Sequence, residues 1–393
     1  MNNYIANIVF NETVSYDPTS LVDLNIRSWA DEILPRFDMV YMDNNFITEQ
    51  FPVFEGMSVK FYLAYDGEQD NLVELEFEVD SVEFEGGPQT TQKAVMISGY
   101  MNIPLTREVR SESIEGTSGE ALASIFDLDV ITDGNDSQKW IRFNETGLSF
   151  YNRVIEHSWK EDDDSMFCYY SFPDKKFNYD SFKNASKQEP GLLIYSEEYV
   201  SPISDETQGR KDVSGSDRII LTYQKIDFKN LGGYVNNFLG NGGKKLNIFS
   251  GTDNEEIDLT FDTPVLGEVT NISEKYSEAV SKTYIGRQRL DIHDKYIAAP
   301  LIRRNTMASM LKQSLILTVK PDTRLKLFDK YEVRYPSVSN NDGDNDYVSG
   351  FYIIFGIVTN VSSDILTQTL MLVRDGINIP VNENEDYKIT TKG

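Results

Sequence analysis

Apolar and polar residues alternate one by one along both ends of this chain, while the three-to-four spacing of helices is confined to its middle. Because side chains switch faces at each step of a strand, the alternation predicts strands at 5–10, 21–27, 36–42, 58–65, 72–84 and 93–103. The turn sequences Asp66-Gly67-Glu68 and Gly86-Gly87-Pro88 divide the last three. The pattern changes near Ser113. A helix is predicted from Gly119 to Leu128, and a second from Leu148 to Trp159, where Leu148, Tyr151, Val154, Ile155 and Trp159 form one apolar face. The polar stretch from Ser201 to Asp217 reads as a junction or surface loop, Arg218 to Phe228 as a long strand, and Gly232 to Gly243 as a glycine-rich loop. A last helix is expected to begin near Thr306 as its N-cap, with Met307, Met310 and Leu311 on one face. Strands follow at 315–319, 330–335, 352–359 and 369–374, with an acidic hairpin tip at 340–346.

One alternating run carries more than a strand prediction. In Leu72 to Asp80, the carboxylates Glu74, Glu76, Glu78 and Asp80 share one face while Leu75, Phe77 and Val79 share the other. Like charges in a row repel, so that face must be wet. It is either an ordinary solvated strand or the wall of a water-filled, electronegative conduit along which an anionic polymer such as DNA slides without sticking.

Composition sharpens this reading. The chain has 393 residues, enough for two or three domains, and 63 acidic against 37 basic side chains give a net charge of −26. Such a surface repels nucleic-acid phosphates and anionic lipid, which argues against non-specific DNA binding and against a membrane partner. The N-terminal Met1 to Phe10 reads as a strand rather than a signal peptide, and no window reaches the length of a membrane span, so a soluble protein made in the cytoplasm is expected. The one cysteine, Cys168, is expected to be a small buried hydrophobe.

The chemistry-bearing residues are sparse. Only His157 and His293 are available for imidazole chemistry; the first sits on the predicted amphipathic helix and the second in Asp291-Ile292-His293-Asp294, where successive side chains diverge. Asp342-Gly343-Asp344-Asn345-Asp346 starts like a calcium loop, but Tyr347 and Ile353 stand where the EF-hand requires Gly and Glu. Asp162-Asp163-Asp164 reads as a solvated turn. Gly240-Asn241-Gly242-Gly243-Lys244-Lys245 lacks the spacing of a phosphate-binding loop, and Thr117-Ser118-Gly119 is not a nucleophile elbow. No catalytic, cofactor or metal residues are therefore assigned, and no enzyme activity is expected.

The C-terminal third resembles the closing barrel of the baseplate hub proteins of contractile-tailed phages. This family includes the hub of T-even phages and the N-terminal part of the VgrG proteins of type VI secretion. Pro321 to Asp329 resembles the turn that opens that barrel, Ser349 to Val358 its strand leading into a hairpin, and Thr367 to Gly376 its last strand. The chain departs from the family at Thr359-Asn360-Val361, where a histidine is common.

The resemblance implies a mainly β protein with α+β insertions and two tube-type β-barrels of similar fold in one subunit. The first barrel would span 1–112, an α+β insertion 113–217, the second barrel 218–232 and 310–380, a mixed insertion 233–309 and a flexible tail 381–393. It also implies a structural virion protein of the tail baseplate, a homotrimeric central hub joining a hexameric tail tube to a trimeric spike. Its partners would be the tail tube, the spike and other baseplate proteins, with DNA only passing through, past Glu74, Glu76, Glu78 and Asp80. A carbohydrate- or receptor-binding β protein of a virion is the second reading.

Overall fold

The computed structural model describes residues 5–44, 47–64, 72–85, 94–162, 164–195, 218–228, 244–250, 253–259, 266, 281–285, 292–296, 299–311, 313–335, 345, 348–362 and 365–376. The alternation at the N-terminal end folds as β1 (Ile5–Phe10), β2 (Val14–Tyr16), β3 (Leu21–Trp29), β4 (Arg36–Met42), β5 (Ser58–Ala64), β6 (Leu72–Glu85) and β7 (Ala94–Met101), with the short helix α1 (Ile47–Gln50) before β5. They pair in the order β3-β4-β7-β6-β5-β1-β2, every contact antiparallel. The two outermost strands, β2 and β3, are consecutive in the chain through the 3-10 turn Pro18–Ser20, so the sheet curls round one core. At its centre Phe37 lies edge-on to Phe61 and Phe77, with ring centroids 5.0 and 5.3 Å away.

A mixed unit follows. The ribbon of β8 (Val109–Gly116) and β10 (Gln138–Thr146) and the three-stranded sheet of β9 (Leu128–Val130), β11 (Met166–Ser171) and β12 (Lys176–Ser181) pack with helices α2 (Ser118–Ala123), α3 (Gly147–His157) and α4 (Phe182–Ser186). Thr117 and Glu120 cap α2 reciprocally. The predicted face of α3 needs correcting at both ends. Leu148 is exposed, and Trp159 lies beyond the helix, which stops when Ser158 turns extended; Phe150, Tyr151, Val154 and Ile155 form the buried face.

The remainder comprises β13 (Gly191–Tyr195), β14 (Arg218–Phe228), a separate sheet of β15 (Lys244–Ser250), β16 (Asp253–Leu259) and β17 (Ser281–Ile285), helix α5 (Ala299–Met310), β18 (Gln313–Val319), β19 (Lys330–Arg334), β20 (Gly350–Val361) and β21 (Leu366–Arg374). Six of these strands close on themselves in the order β19-β13-β14-β18-β21-β20, because β20 also pairs with β19. The ring surrounds Leu317, Val319, Tyr331, Tyr352, Ile354 and Leu372. The helix expected from Thr306 begins seven residues earlier, at Ala299. Thr306 is a buried mid-helix residue, and Pro300, tolerated in a first turn that lacks N–H partners, is the start signal. The turns at 66–68 and 86–88, the loops at 201–217 and 232–243, and the tail at 381–393 lie outside the described residues. So does the tip at 340–346 apart from Asn345.

The two barrels are one continuous sheet. β20 is long enough to serve both: Lys330 to Val333 of β19 pair with its first half, and Leu24 to Trp29 of β3 with its second. At the joint Gly356 lies opposite Trp29, and a Cβ there would sit 2.2 Å from the indole. Only glycine lets the strands approach so closely.

Candidate functional site

The carboxylate row lies on β6 as the alternation requires, with Leu75, Phe77 and Val79 buried behind it. Its members do not behave alike. The Lys60 ammonium on β5 lies 3.2 Å from Glu74, 3.6 Å from Glu76 and 3.6 Å from Glu12, so three carboxylates share one cation. The hydrogen bond to Glu74 and then the charge of Glu76 hold that ammonium above its ordinary range. Glu78 is only 9% exposed and is met by the Arg107 guanidinium, which also donates to the Tyr100 hydroxyl at 2.8 Å and lies over the Tyr100 ring. Asp80 is exposed at a bulge between Val79 and Ser81. Opposite that bulge a Cβ on Gly99 would sit 2.0 Å from the Glu78 carbonyl oxygen. Lys60 and Arg107 were missed from sequence. Lys60 does occupy the polar face of its own alternating strand, but the register that sets it between Glu74 and Glu76 is not a local property.

Beside the row is a cleft of about 710 Å³ between the first barrel and the mixed unit. Glu74, Leu75 and Glu76 form one lip, Asp127, Lys175 and Lys176 the other, and Met101, Ile103, Ile125, Phe126, Tyr170 and Phe177 an apolar floor. Lys176 pairs with Asp129 at 3.4 Å.

The two histidines, distant in sequence, are neighbours. His157 stacks on Tyr296 with centroids 3.8 Å apart and its Nδ1 lies 2.8 Å from the Tyr296 carbonyl, while His293 Nε2 lies 3.1 Å from the His157 carbonyl. Burial lowers both imidazole pKa values below the ordinary one, against the smaller opposing effect of these carbonyl bonds. Their contacts are those of a clasp holding 292–296 onto α3. Asp162 takes hydrogen bonds from the Trp159 indole at 3.1 Å and Lys295 at 2.9 Å, Asp164 takes those of the Ser165 and Lys183 amides, and Asp163 lies outside the described residues. Asp291, the glycine-rich 240–243 and Asp342, Gly343, Asp344 and Asp346 also lie outside them. Ser118, beside the Thr117 cap, shares a hydrogen bond of 2.6 Å with the buried Tyr179 hydroxyl. Cys168 is buried, which pushes its thiol pKa up. Among the described residues no three His, Cys, Asp or Glu side chains gather as a metal site, and no helix is long and apolar enough to cross a membrane.

No family model matches the chain, and no curated protein sequence matches it. Solved structures do. A 43 kDa tail protein of prophage MuSo2 from Shewanella oneidensis superposes with a TM-score of 0.55, covering 96% of this chain and 100% of that one at 10% identity. A tail protein from Neisseria meningitidis MC58 superposes with a TM-score of 0.52, covering 95% and 96% at 12% identity. The chain has the fold of these two tail proteins. The expected likeness and the mainly β fold class both hold at this level. In this tail-protein fold the carboxylate row belongs to the N-terminal barrel, the cleft to its border with the mixed unit, and the histidine clasp joins residues 292–296 to that unit.

Proposed function

We propose that the chain is a structural component of a phage tail, the central hub of a baseplate. It assembles as a homotrimer, with two barrels per subunit and hence six in the ring, which matches a hexameric tail tube on one side and a trimeric spike on the other. The observation that carries this reading is the single sheet running through two barrels, in a chain that a prophage tail protein matches from end to end. The units are a first barrel at 1–112, insertions at 113–217 and 233–309, a second barrel at 218–232 and 310–380 joined by β13, and a tail at 381–393. Glu74, Glu76 and Asp80 line the path of the DNA, and Glu78 stands behind them with Arg107. DNA passes without specific binding because the carboxylates repel it. Exposed apolar groups on the outer face of the β8–β10 ribbon, with Phe143 80% exposed beside Ile141, are of the kind that assembly covers.

Light scattering on the purified protein, followed by averaged electron micrographs, tests this. A ring of three copies with an open centre is the expected result. A monomer that stays monomeric when mixed with its cognate spike and tube proteins would overturn it.

A further inference from the structure

The chain has only two histidines, 136 positions apart in sequence, and they meet in one contact at the end of α3. Their partners fix where each ring holds its proton. A carbonyl only accepts, so His157 carries its proton on Nδ1, 2.8 Å from the Tyr296 oxygen, and His293 carries its own on Nε2, 3.1 Å from the His157 oxygen. The other nitrogen of each ring is a bare lone pair. In His293, which is 9% exposed, that nitrogen is buried and has no hydrogen-bond partner among the described residues. A second proton on this ring would be a buried donor with nothing to accept it. The end of α3 favours a positive charge, yet it offers its carbonyl to Nε2 and nothing to Nδ1. Three more bonds run through the same short segment. The His293 N–H donates to Gln138 Oε1 at 3.1 Å, the Tyr296 N–H to the His293 carbonyl at 3.0 Å, and the Ala299 N–H, at the start of α5, to the Lys295 carbonyl at 2.8 Å. Trp140, 1% exposed, lies against the segment, its ring centroid 6.5 Å from that of His293 and 6.3 Å from that of Tyr296.

We propose that residues 292–296 are an acid-released strap, which lets go of α3 when the two histidines take up protons while both barrels stay folded. Closed, the strap has no place for a second proton on His293. Open, both rings meet water and bind protons with ordinary affinity, so each proton taken up favours the open form. The two rings respond together, because charge on His157 opposes charge on His293 and the repulsion ends when they part. The charged groups facing the pair do not reverse this. Glu156 and Arg153 of α3 act in opposite senses on His157. Asp136, ahead of β10, and Asp294 of the strap favour charge on His293, but both Asp136 oxygens already accept the N–H groups of Ser118 and Trp159. Lys295 and Asp162, 2.9 Å apart, tether the strap on its exposed side. An ordinary imidazole titrates near pH 6.5, so the strap is closed above that range and opens as pH falls through it. Between pH 7 and pH 5 the ratio of open to closed grows by up to about 25-fold for each ring that stays neutral when closed. Opening frees the first turn of α5 from Lys295 and uncovers Trp140. The inference stands apart from the trimeric hub, since it needs one subunit only.

The test is hydrogen exchange of the full chain at pH 7 and pH 5, resolved to single amides and corrected for the intrinsic effect of pH on exchange. The amides of His293 and Tyr296 are expected to open about tenfold more often or more at pH 5. Those of Met39 in the first barrel and Met371 in the second, each on a strand paired on both sides, should keep their protection. The double variant His157→Phe, His293→Gln keeps a ring on Tyr296 and a donor for the residue 157 carbonyl, but takes up no proton. Its strap should open equally at the two pH values. His293→Gln alone, which disturbs the packing less, should reduce the pH response several-fold. Equal opening of the native strap at pH 7 and pH 5, a full response that survives in the variants, or loss of barrel protection at the same pH as the strap would each overturn the proposal.

Discussion

The six strands of the C-terminal barrel return on themselves through the β19–β20 ladder, while the seven of the N-terminal barrel end at β2 and β3, which the chain joins only by the turn Pro18–Ser20. The C-terminal ring closes by backbone pairing. In the N-terminal barrel the sheet curves round an aromatic core, and the β6–β7 ladder ends at the pair Phe77 and Met101. The difference therefore lies in how each sheet closes, by a ladder in one barrel and by a turn of the chain in the other, although β20 and β3 make them one sheet.

The largest expected effect comes from severing that shared sheet. Gly356→Val drives a side chain into Trp29 at the joint and should cost about 3 kcal/mol or more. It should also split one unfolding transition into two, because the barrels no longer support each other. Calorimetry checks this; a single unshifted transition would mean that the joint carries no coupling.

A smaller effect sharpens the contrast inside the N-terminal barrel. Arg107→Ala leaves the nearly buried Glu78 without its cation and should destabilise by about 1–3 kcal/mol. Asp80→Asn removes an exposed carboxylate with little to hold and should change stability by less than about 0.5 kcal/mol. Urea titrations of the two variants measure the difference. Equal costs would show that the row is energetically uniform.

That row illustrates how far the sequence could be read. Alternation placed Glu74, Glu76, Glu78 and Asp80 on one face correctly, because strand periodicity is local. It could not show that Lys60 stands between two of them, that Arg107 neutralises a third, or that the bulge opposite Gly99 separates the fourth, since these depend on register. The same limit applies to Leu148 and Trp159, which fit a helical wheel but not the helix, whose end is set by an extended Ser158 and by Asp136 taking the Trp159 N–H at 2.8 Å. The strands β8, β10 and β13 were not foreseen either. Their polar outward residues, or their shortness, weaken the pattern, and β13 owes its place to parallel partners on both sides.

The barrels also differ in what packs outside them, and that difference has a pH signature. Phe167 and Tyr169 of β11 and Phe182 of α4 enter the C-terminal core, and Arg303 of α5 donates to the Met166 carbonyl, so the mixed unit is tied to the C-terminal barrel. The His157–Tyr296–His293 clasp holds its far side. Glu156 and Arg153 act in opposite directions on His157, Asp136 and Asp294 favour charge on His293, and burial outweighs these and keeps both folded-state pKa values below the ordinary one. Below about pH 6.5 the unfolded chain therefore binds more protons than the native one, and stability falls as pH drops through that window. Above it the contribution is fully present. Denaturation followed by tryptophan fluorescence at pH 7 and pH 5 should show a lower midpoint at pH 5, with Trp140 and Trp159, beside the clasp, reporting first. Replacing His157 and His293 by glutamine should flatten the part of that pH dependence that arises below pH 6.5. An unchanged slope in the double variant would place the acid sensitivity among the carboxylates instead, and the clasp would then be a contact without a titration.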